Sequence, residues 1–410
     1  MSVTSSAALR DQPARLRPWR NGPVLRVMRR WLAQLQVGSI SLTLPDGRDL
    51  HHAGALPGPH GHMALHSWRA LRRLVWRGDL GFAEGYIAGD WSSADLPRLI
   101  ALGAANLDRL DTLMDGAAWV KALRRLVHSG RGNSLKGSRR NIAFHYDLGN
   151  DFYRPWLDHS MTYSAAVAIN PGQTLEAAQA HKLEAIAALL ECAPGNRVLE
   201  IGCGWGALAT HLAAHGAHVT GVTLSHEQLG FAREHIDHAG LADRIDLRLQ
   251  DYREVTGTFD RIVSIEMIEA VGEAWWPTYF RQVHDRLAPG GRAVLQAITI
   301  AEARFAHYRQ APDFIQHYIF PGGMLPTRTI IAVQVEAAGL RLTDSVHFAP
   351  GYAATLAEWR RRFEAAHDTM ASLGFDAQFC RMWSYYLAYC EAGFASGQTD
   401  VGFYVLEKPL

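Results

Sequence analysis

The sequence predicts an α/β fold: a mostly parallel sheet with helices on both faces over residues 141–410, preceded by a smaller, mainly helical N-terminal domain. Two observations lead there. A short apolar run at 198–201 and further strand segments at 217–223, 245–249, 261–265 and 293–298 alternate with helix-length segments, and strands that alternate with helices pair in parallel through crossovers. The first run ends in Gly202-Cys203-Gly204-Trp205-Gly206 and leads into a helix from Ala207 to His215. Strand, glycine turn and helix N-terminus together form the ligand crevice of a doubly wound sheet, because glycine lets the backbone approach a ligand closely.

Each element follows from local signals. Residues 1–36 carry Arg10, Arg15, Arg17, Arg20, Arg26, Arg29 and Arg30 against the single acid Asp11, with Trp19 and Trp31 interleaved. That mixture suits an anionic lipid surface, and it suits a solvated tail equally. Residues 37–120 read as a small lipid- or partner-binding domain: a hairpin from Val37 to Leu50 turned by Pro45-Asp46-Gly47, a basic helix from Trp68 to Leu80, then a glycine- and aromatic-rich segment at 81–91. Residues 121–140 hold seven basic side chains and no acid, and read as a basic linker. Leu175–Leu190 is an amphipathic helix that leads into the glycine strand, and Ser225 caps the helix after the second strand, with Gln228 three residues on. Pro289-Gly290-Gly291 is expected to turn into the fifth strand. Residues 299–325 interrupt the alternation as an insertion over the strand ends would, and Val401–Leu406 supplies a last strand, antiparallel to its neighbours.

At 410 residues and a formal charge of +1, the chain has room for two cores and no global attraction to nucleic acid. No apolar run reaches membrane-spanning length, and the arginine-rich start lacks the apolar stretch of a signal peptide, so a cytoplasmic location is expected. Cys192, Cys203, Cys380 and Cys390 show no metal-ligand spacing and are expected as reduced thiols; no metal site is expected.

The glycine loop narrows the ligand. Its spacing is G-x-G-x-G, not the G-x-G-x-x-G that serves a pyrophosphate, and no P-loop lysine follows. An acidic Glu200 sits in the strand end, and no ribose-binding acid closes the second strand. These features favour S-adenosylmethionine, with its cationic sulfonium and no phosphate, over a dinucleotide.

Six ordered motifs then carry a resemblance. Tyr163-Ser164, the glycine loop, Gly221-Val222-Thr223-Leu224-Ser225, Gln250-Asp251-Tyr252-Arg253, Phe259 to Ile265, and Tyr318-Ile319-Phe320-Pro321-Gly322-Gly323 together resemble the cyclopropane-fatty-acyl-phospholipid synthases and the related mycolic-acid and branched-acid methyltransferases, from about His145 to the C-terminus. The resemblance implies a Rossmann-like, seven-stranded class I methyltransferase domain. Tyr163, Ser164, Gly202 and Gly204 would hold the methionine end of S-adenosylmethionine with Glu200 beside them. Thr223 and Gln228 would hold the ribose, Asp251 and Tyr252 the adenine, and His145 and Ile265 would complete the shell.

The chemistry so implied is methyl transfer to the double bond of an unsaturated acyl chain of membrane phospholipid. An alkene is a weak nucleophile, so the methyl must face its π-cloud in a dry site. Addition leaves a carbocation, which aromatic faces and carboxylates stabilise before a proton departs. In the family a bound bicarbonate, caged by Glu, His and Tyr side chains and backbone amides near a Cys and an Ile, is thought to take that proton. Here Glu269, Tyr352 and Ile298 match, whereas Ala165 stands at the cysteine position and Gln296 at the histidine position. Glutamine still offers donors to an anion but no titratable ring. Glu266 is an extra carboxylate, read as a strand cap in preference to a cofactor contact. The product is a cyclopropane if the new methyl loses the proton, and a methyl- or methylene-branched chain if a neighbouring carbon does. The aromatics Phe305, Tyr308, Phe314, Tyr318, Phe320, Trp359, Phe363, Trp383, Tyr385 and Tyr386 suit a long apolar site. Two alternatives are a methyltransferase for a small soluble acceptor and a non-catalytic lipid-binding homologue. The expected setting is the inner membrane face, with a homodimer compatible with the resemblance.

Overall fold

The structure, a computed structural model, describes residues 22–107, 109–110 and 148–410. The N-terminal part holds helix α1 (Gly22–Leu32), strands β1 (Val37–Thr43), β2 (Asp49–Ala53) and β3 (Leu56–Leu65), helix α2 (Arg69–Ile87), the short β4 (Trp91–Ser92) and helix α3 (Leu96–Ala105). The strands form a sheet in the order β2-β1-β3-β4, so the helices are accompanied by a sheet larger than the expected hairpin. That hairpin is present, with Gly47 at φ 81° in its turn. Alternation along β1 sends Ile40 and Leu42 inward.

The glycine-rich segment has a specific reason. Helix α2 continues through it, broken at Gly78 (φ 60°, ψ −134°), and the second half folds back so closely that a Cβ on Gly81 would lie 2.0 Å from the carbonyl oxygen of Arg73. Only glycine permits both the turn and the approach. Trp91 then closes the end of the helix, its indole nitrogen donating to the carbonyl of Phe82 at 2.9 Å.

From residue 148 the alternation unfolds as expected. Helix α4 (Leu175–Leu189) precedes β5 (Arg197–Ile201), α5 (Ala207–Ala214), β6 (His218–Thr223), α6 (His226–His238), β7 (Ile245–Leu249), β8 (Phe259–Ile265), α7 (Trp276–Arg286), β9 (Leu287–Ile300), α8 (Arg328–Ala337), β10 (Arg341–His347), α9 (Ala349–Ala365), α10 (Ala377–Ala395) and β11 (Thr399–Glu407). The seven strands lie in the order β10-β11-β9-β8-β5-β6-β7. Those from β5 to β9 are parallel, and β11 runs antiparallel to both its neighbours. Side chains alternate between two cores, Val198, Val263 and Val294 on one face and Leu199, Ile262 and Ala293 on the other. Such strands are apolar throughout because both faces are covered. Pro289-Gly290-Gly291 does not precede the fifth strand but lies inside β9, where the register against β8 shifts.

Strand order reverses between β5 and β8, and the crevice beyond their C-terminal ends is where such sheets bind ligands. The 299–325 insertion reaches that crevice: Met324 donates its amide to the carbonyl of Glu269 at 2.8 Å. Helix α10 joins the two parts of the chain. Arg381 donates to the carbonyl of Ile87 at 2.8 Å, Tyr385 stacks near Tyr86, and from the insertion Tyr318 donates to Glu84 at 2.7 Å. No helix of the described residues is long and apolar enough to cross a membrane.

Candidate active site

All three loop glycines have positive φ, with Gly202 at 83°, Gly204 at 52° and Gly206 at 87°. They are needed for different reasons. A Cβ on Gly202 would press on Met267 at 3.0 Å and one on Gly206 on Ala232 at 3.1 Å, whereas Gly204 faces open space. Two glycines therefore serve packing, and the middle one leaves bare backbone facing open space, where a ligand could approach closely. Glu200 lies buried behind the loop near the amide of Ala209. One of its oxygens has no partner among the described residues, and burial pushes its carboxyl up to about 8.

The next two strand ends extend this wall. Thr223, at the end of β6, donates to the Gln228 side-chain oxygen at 2.9 Å, and Ser225 caps α6 by accepting from the Gln228 amide. Beyond β7, Asp251 is gripped by Arg253 through Nε at 2.8 Å and a terminal nitrogen at 2.7 Å. The Arg253 guanidinium lies over both Tyr252 and Trp275, and the buried Tyr252 hydroxyl has no partner among the described residues. Across the crevice, the Tyr163 hydroxyl lies 2.8 Å from that of Tyr386. Ser164 accepts from the buried Lys182 ammonium at 2.7 Å, and its carbonyl accepts from Gln179 at 2.9 Å. Burial brings Lys182 down to about 8. The crevice thus offers bare loop backbone, unpartnered buried oxygens and aromatic edges, which fit S-adenosylmethionine. His145 falls outside the described residues.

The chemical centre differs from expectation. Glu266 follows β8 with φ 48°, a left-handed backbone unusual for glutamate. Its Oε1 accepts from the Ala165 amide at 2.8 Å and from Gln296 Nε2 at 2.7 Å, and its Oε2 accepts from the Tyr352 hydroxyl at 2.6 Å. It is no mere strand cap: the groups expected around a free anion converge on this carboxylate. Ile298 donates its amide to Glu269 Oε1, leaving Glu269 Oε2 buried without a partner among the described residues. Ile265, the last residue of β8, sits opposite Gln296 on β9. Every donor expected to hold bicarbonate is therefore already committed to a carboxylate of this chain. The residues present do not fit that anion, because the donors that would hold it already hold Glu266 and Glu269.

The two carboxylates stand apart electrostatically. Burial raises both, but Glu266 is held back by three hydrogen-bond donors and the nearby Lys182. Glu269, which accepts from the Ile298 amide, is pushed up to about 8 by burial and by the charge of Glu266. Of the two, Glu269 is the one on which the fold favours a proton. Around them lie aromatic rings: Tyr352 packs on Phe394 at 4.3 Å and edge-on to Trp359, which itself lies 5.2 Å from Tyr163. Not all the expected aromatics gather here. Phe305 packs against Trp276 on the opposite face of the sheet, and Phe363 belongs to the core under α9. Glu266, Lys182, Gln179 and Arg253 were not singled out for these roles by the sequence, although a carboxylate pair three residues apart at a strand end was a visible signal for the first.

A seven-stranded sheet of this order, with one antiparallel strand beside its edge and a G-x-G-x-G loop at the switch point, defines an S-adenosylmethionine-dependent methyltransferase. The family described as mycolic acid cyclopropane synthetase matches residues 133–403. A tuberculostearic acid methyltransferase of Mycobacterium tuberculosis is 44% identical over 347 residues, covering 82% of this chain and 81% of that one. The cyclopropane-fatty-acyl-phospholipid synthase of Escherichia coli is 35% identical over 337 residues, 79% of this chain and 82% of its own. A crystal structure of the mycolic acid cyclopropane synthase CmaA1 with SAH and CTAB superposes with a TM-score of 0.62 at 29% identity, over 66% of this chain and 98% of that one. The chain belongs to the mycolic acid cyclopropane synthetase family, and it is an S-adenosylmethionine-dependent methyltransferase acting on lipids.

Proposed function

We propose that the enzyme methylates the double bond of an unsaturated fatty acyl chain carried by membrane phospholipid, and that the product is an open methyl- or methylene-branched chain. The observation that carries this reading is the buried carboxylate pair set among aromatic rings beside the cofactor loop. An oxygen or nitrogen acceptor needs neither cation stabilisation nor proton removal from carbon; an alkene needs both. S-adenosylmethionine supplies the methyl and, in losing it, becomes a neutral thioether. Tyr163, Tyr352 and Trp359 present ring faces and edges where positive charge develops on the acyl chain, and the closed apolar surroundings exclude water that would quench it. Burial raises Glu266, but the hydrogen bonds from Tyr352, the Ala165 amide and Gln296 favour its charged form, whereas Glu269 is pushed up to about 8. That the 44% identical relative is named a methyltransferase, whereas the 35% identical one is named a cyclopropane synthase, supports the branched product over the ring.

A membrane approach is supported by α2, whose outer face sets Val75 (62% exposed) and Trp76 (60% exposed) beside the exposed Arg69 and Arg72. Apolar side chains rimmed by arginine suit an anionic lipid interface. The test is mass spectrometry of acyl chains after incubation of the protein with methyl-labelled S-adenosylmethionine and vesicles of mono-unsaturated phospholipid. A labelled branched chain is expected. A labelled ring would overturn the product, and no labelled acyl chain despite cofactor binding would overturn the substrate.

A further inference from the structure

We infer that Glu266 is the built-in catalytic base of this enzyme: its carboxylate removes the proton from the methylated acyl chain, and no dissolved anion takes part. The inference rests on the alkene-methylation reading above. Its grounds are geometric. The carboxylate sits at the switch point, one residue before Met267, whose side chain packs against Gly202 of the cofactor loop. Three donors from three separate parts of the fold fix it: the Ala165 amide, Gln296 on β9 and Tyr352 on α9. The residue adopts a positive φ, an unfavourable backbone for glutamate that the surrounding contacts must maintain. A carboxylate that only capped β8 would need none of this.

The proton inventory agrees. Burial raises the Glu266 carboxyl, which gives it basicity, while the donors Tyr352, Gln296 and the Ala165 amide and the nearby Lys182 each favour its ionised form. Among the described residues Oε2 accepts from Tyr352 alone, which leaves a lone pair for the incoming proton. The step balances within the site. The alkene π-pair forms the new carbon–methyl bond as the sulfur–methyl bond breaks, and the second alkene carbon becomes cationic. Glu266 then takes a proton from a carbon next to that cation, and the released C–H pair forms the C=C bond of a methyl-branched alkene; for the methylene-branched product a hydride first shifts from the methylated carbon to the cationic one, and Glu266 takes the proton from the new methyl. Glutamate becomes glutamic acid, and the proton leaves to water when product departs.

The test uses the full-length enzyme with the labelled vesicle assay, in bicarbonate-free, CO2-purged buffer and again with added bicarbonate. Wild-type turnover is expected to be the same in both. Glu266→Gln, an isostere without basicity, is expected to lose ~100-fold or more in kcat while binding S-adenosylmethionine within about threefold of wild type by calorimetry. Glu266→Gly suits the positive φ and opens a carboxylate-sized space; formate or bicarbonate is expected to restore part of its activity and to add none to wild type. Carbon-13 bicarbonate is expected to bind this variant and not wild type. Wild-type turnover that requires bicarbonate, or a Glu266→Gln enzyme within tenfold of wild type, would overturn the assignment. A wild-type enzyme that labels no acyl chain at all would instead overturn the alkene reading, and bicarbonate binding to wild type would then still overturn the role of Glu266 by itself.

Discussion

At the scale of single residues, Glu266 and Glu269 lie three positions apart in sequence and differ in what the fold gives them. Among the described residues Glu266 accepts from Tyr352, Gln296 and the Ala165 amide, whereas Glu269 accepts from backbone amides and is pushed up to about 8 by burial and the charge of Glu266, so the fold favours a proton on Glu269. Glu269→Gln therefore mimics the state already present, and turnover at pH 7 is expected to stay within about tenfold of wild type, in contrast to the same change at Glu266. Stability carries a second signature. The carboxyl of Glu269 titrates at about 8 in the folded protein, above its ordinary 4.5. Between those values the unfolded chain binds fewer protons than the folded one, so stability from this group is full below pH 4.5 and is lost as pH rises toward 8. Glu269→Gln removes that loss, and its melting temperature relative to wild type is expected to climb steadily from about pH 5 to about pH 8. A difference independent of pH would show that Glu269 is ionised throughout. The role of Glu266 was obscure in the sequence because a carboxylate at a strand end looks alike whether it caps a strand or collects donors from residues 165, 296 and 352.

At the scale of elements, the strands in the middle of the sheet were legible as short runs of buried apolar residues, as in the strand before the glycine loop. Ile245–Leu249, at one edge, was legible by the alternation of Ile245, Leu247 and Leu249 with Asp246 and Arg248. Strand β10 (Arg341–His347) escaped because it lies at the sheet edge with mostly exposed side chains and no apolar run. The glycine-rich end of α2 escaped for the opposite reason: its glycines signal a loop, yet here they let one helix fold back on itself. The outer face of α2 makes the element-scale prediction. Trp76→Ser together with Arg72→Ser is expected to weaken sedimentation with anionic vesicles by about tenfold at low salt, while methyl transfer to detergent-dispersed lipid remains. Unchanged sedimentation would remove α2 from the lipid interface.

At the scale of the whole molecule, the mostly parallel sheet and the crevice beyond its glycine loop were readable because strands that alternate with helices pair through crossovers. What lay beyond reading was how the N-terminal part meets the rest, since that depends on contacts between residues far apart in the chain, such as Arg381 with Ile87. Helix α10 settles it. One side carries Tyr386, bonded to Tyr163 at the crevice; another carries Arg381 and Tyr385, packed on the N-terminal part.

This arrangement governs how the protein can be recombined. A helix that walls the crevice and also seats the N-terminal part cannot be inherited with only one of them, so the two parts are not interchangeable cassettes. Grafting residues 22–107 of a relative onto this chain is expected to give insoluble or poorly melting protein, and carrying that relative's α10 along with the graft is expected to restore a cooperative transition. A soluble, cooperatively melting graft without the matching helix would show that the seam tolerates exchange.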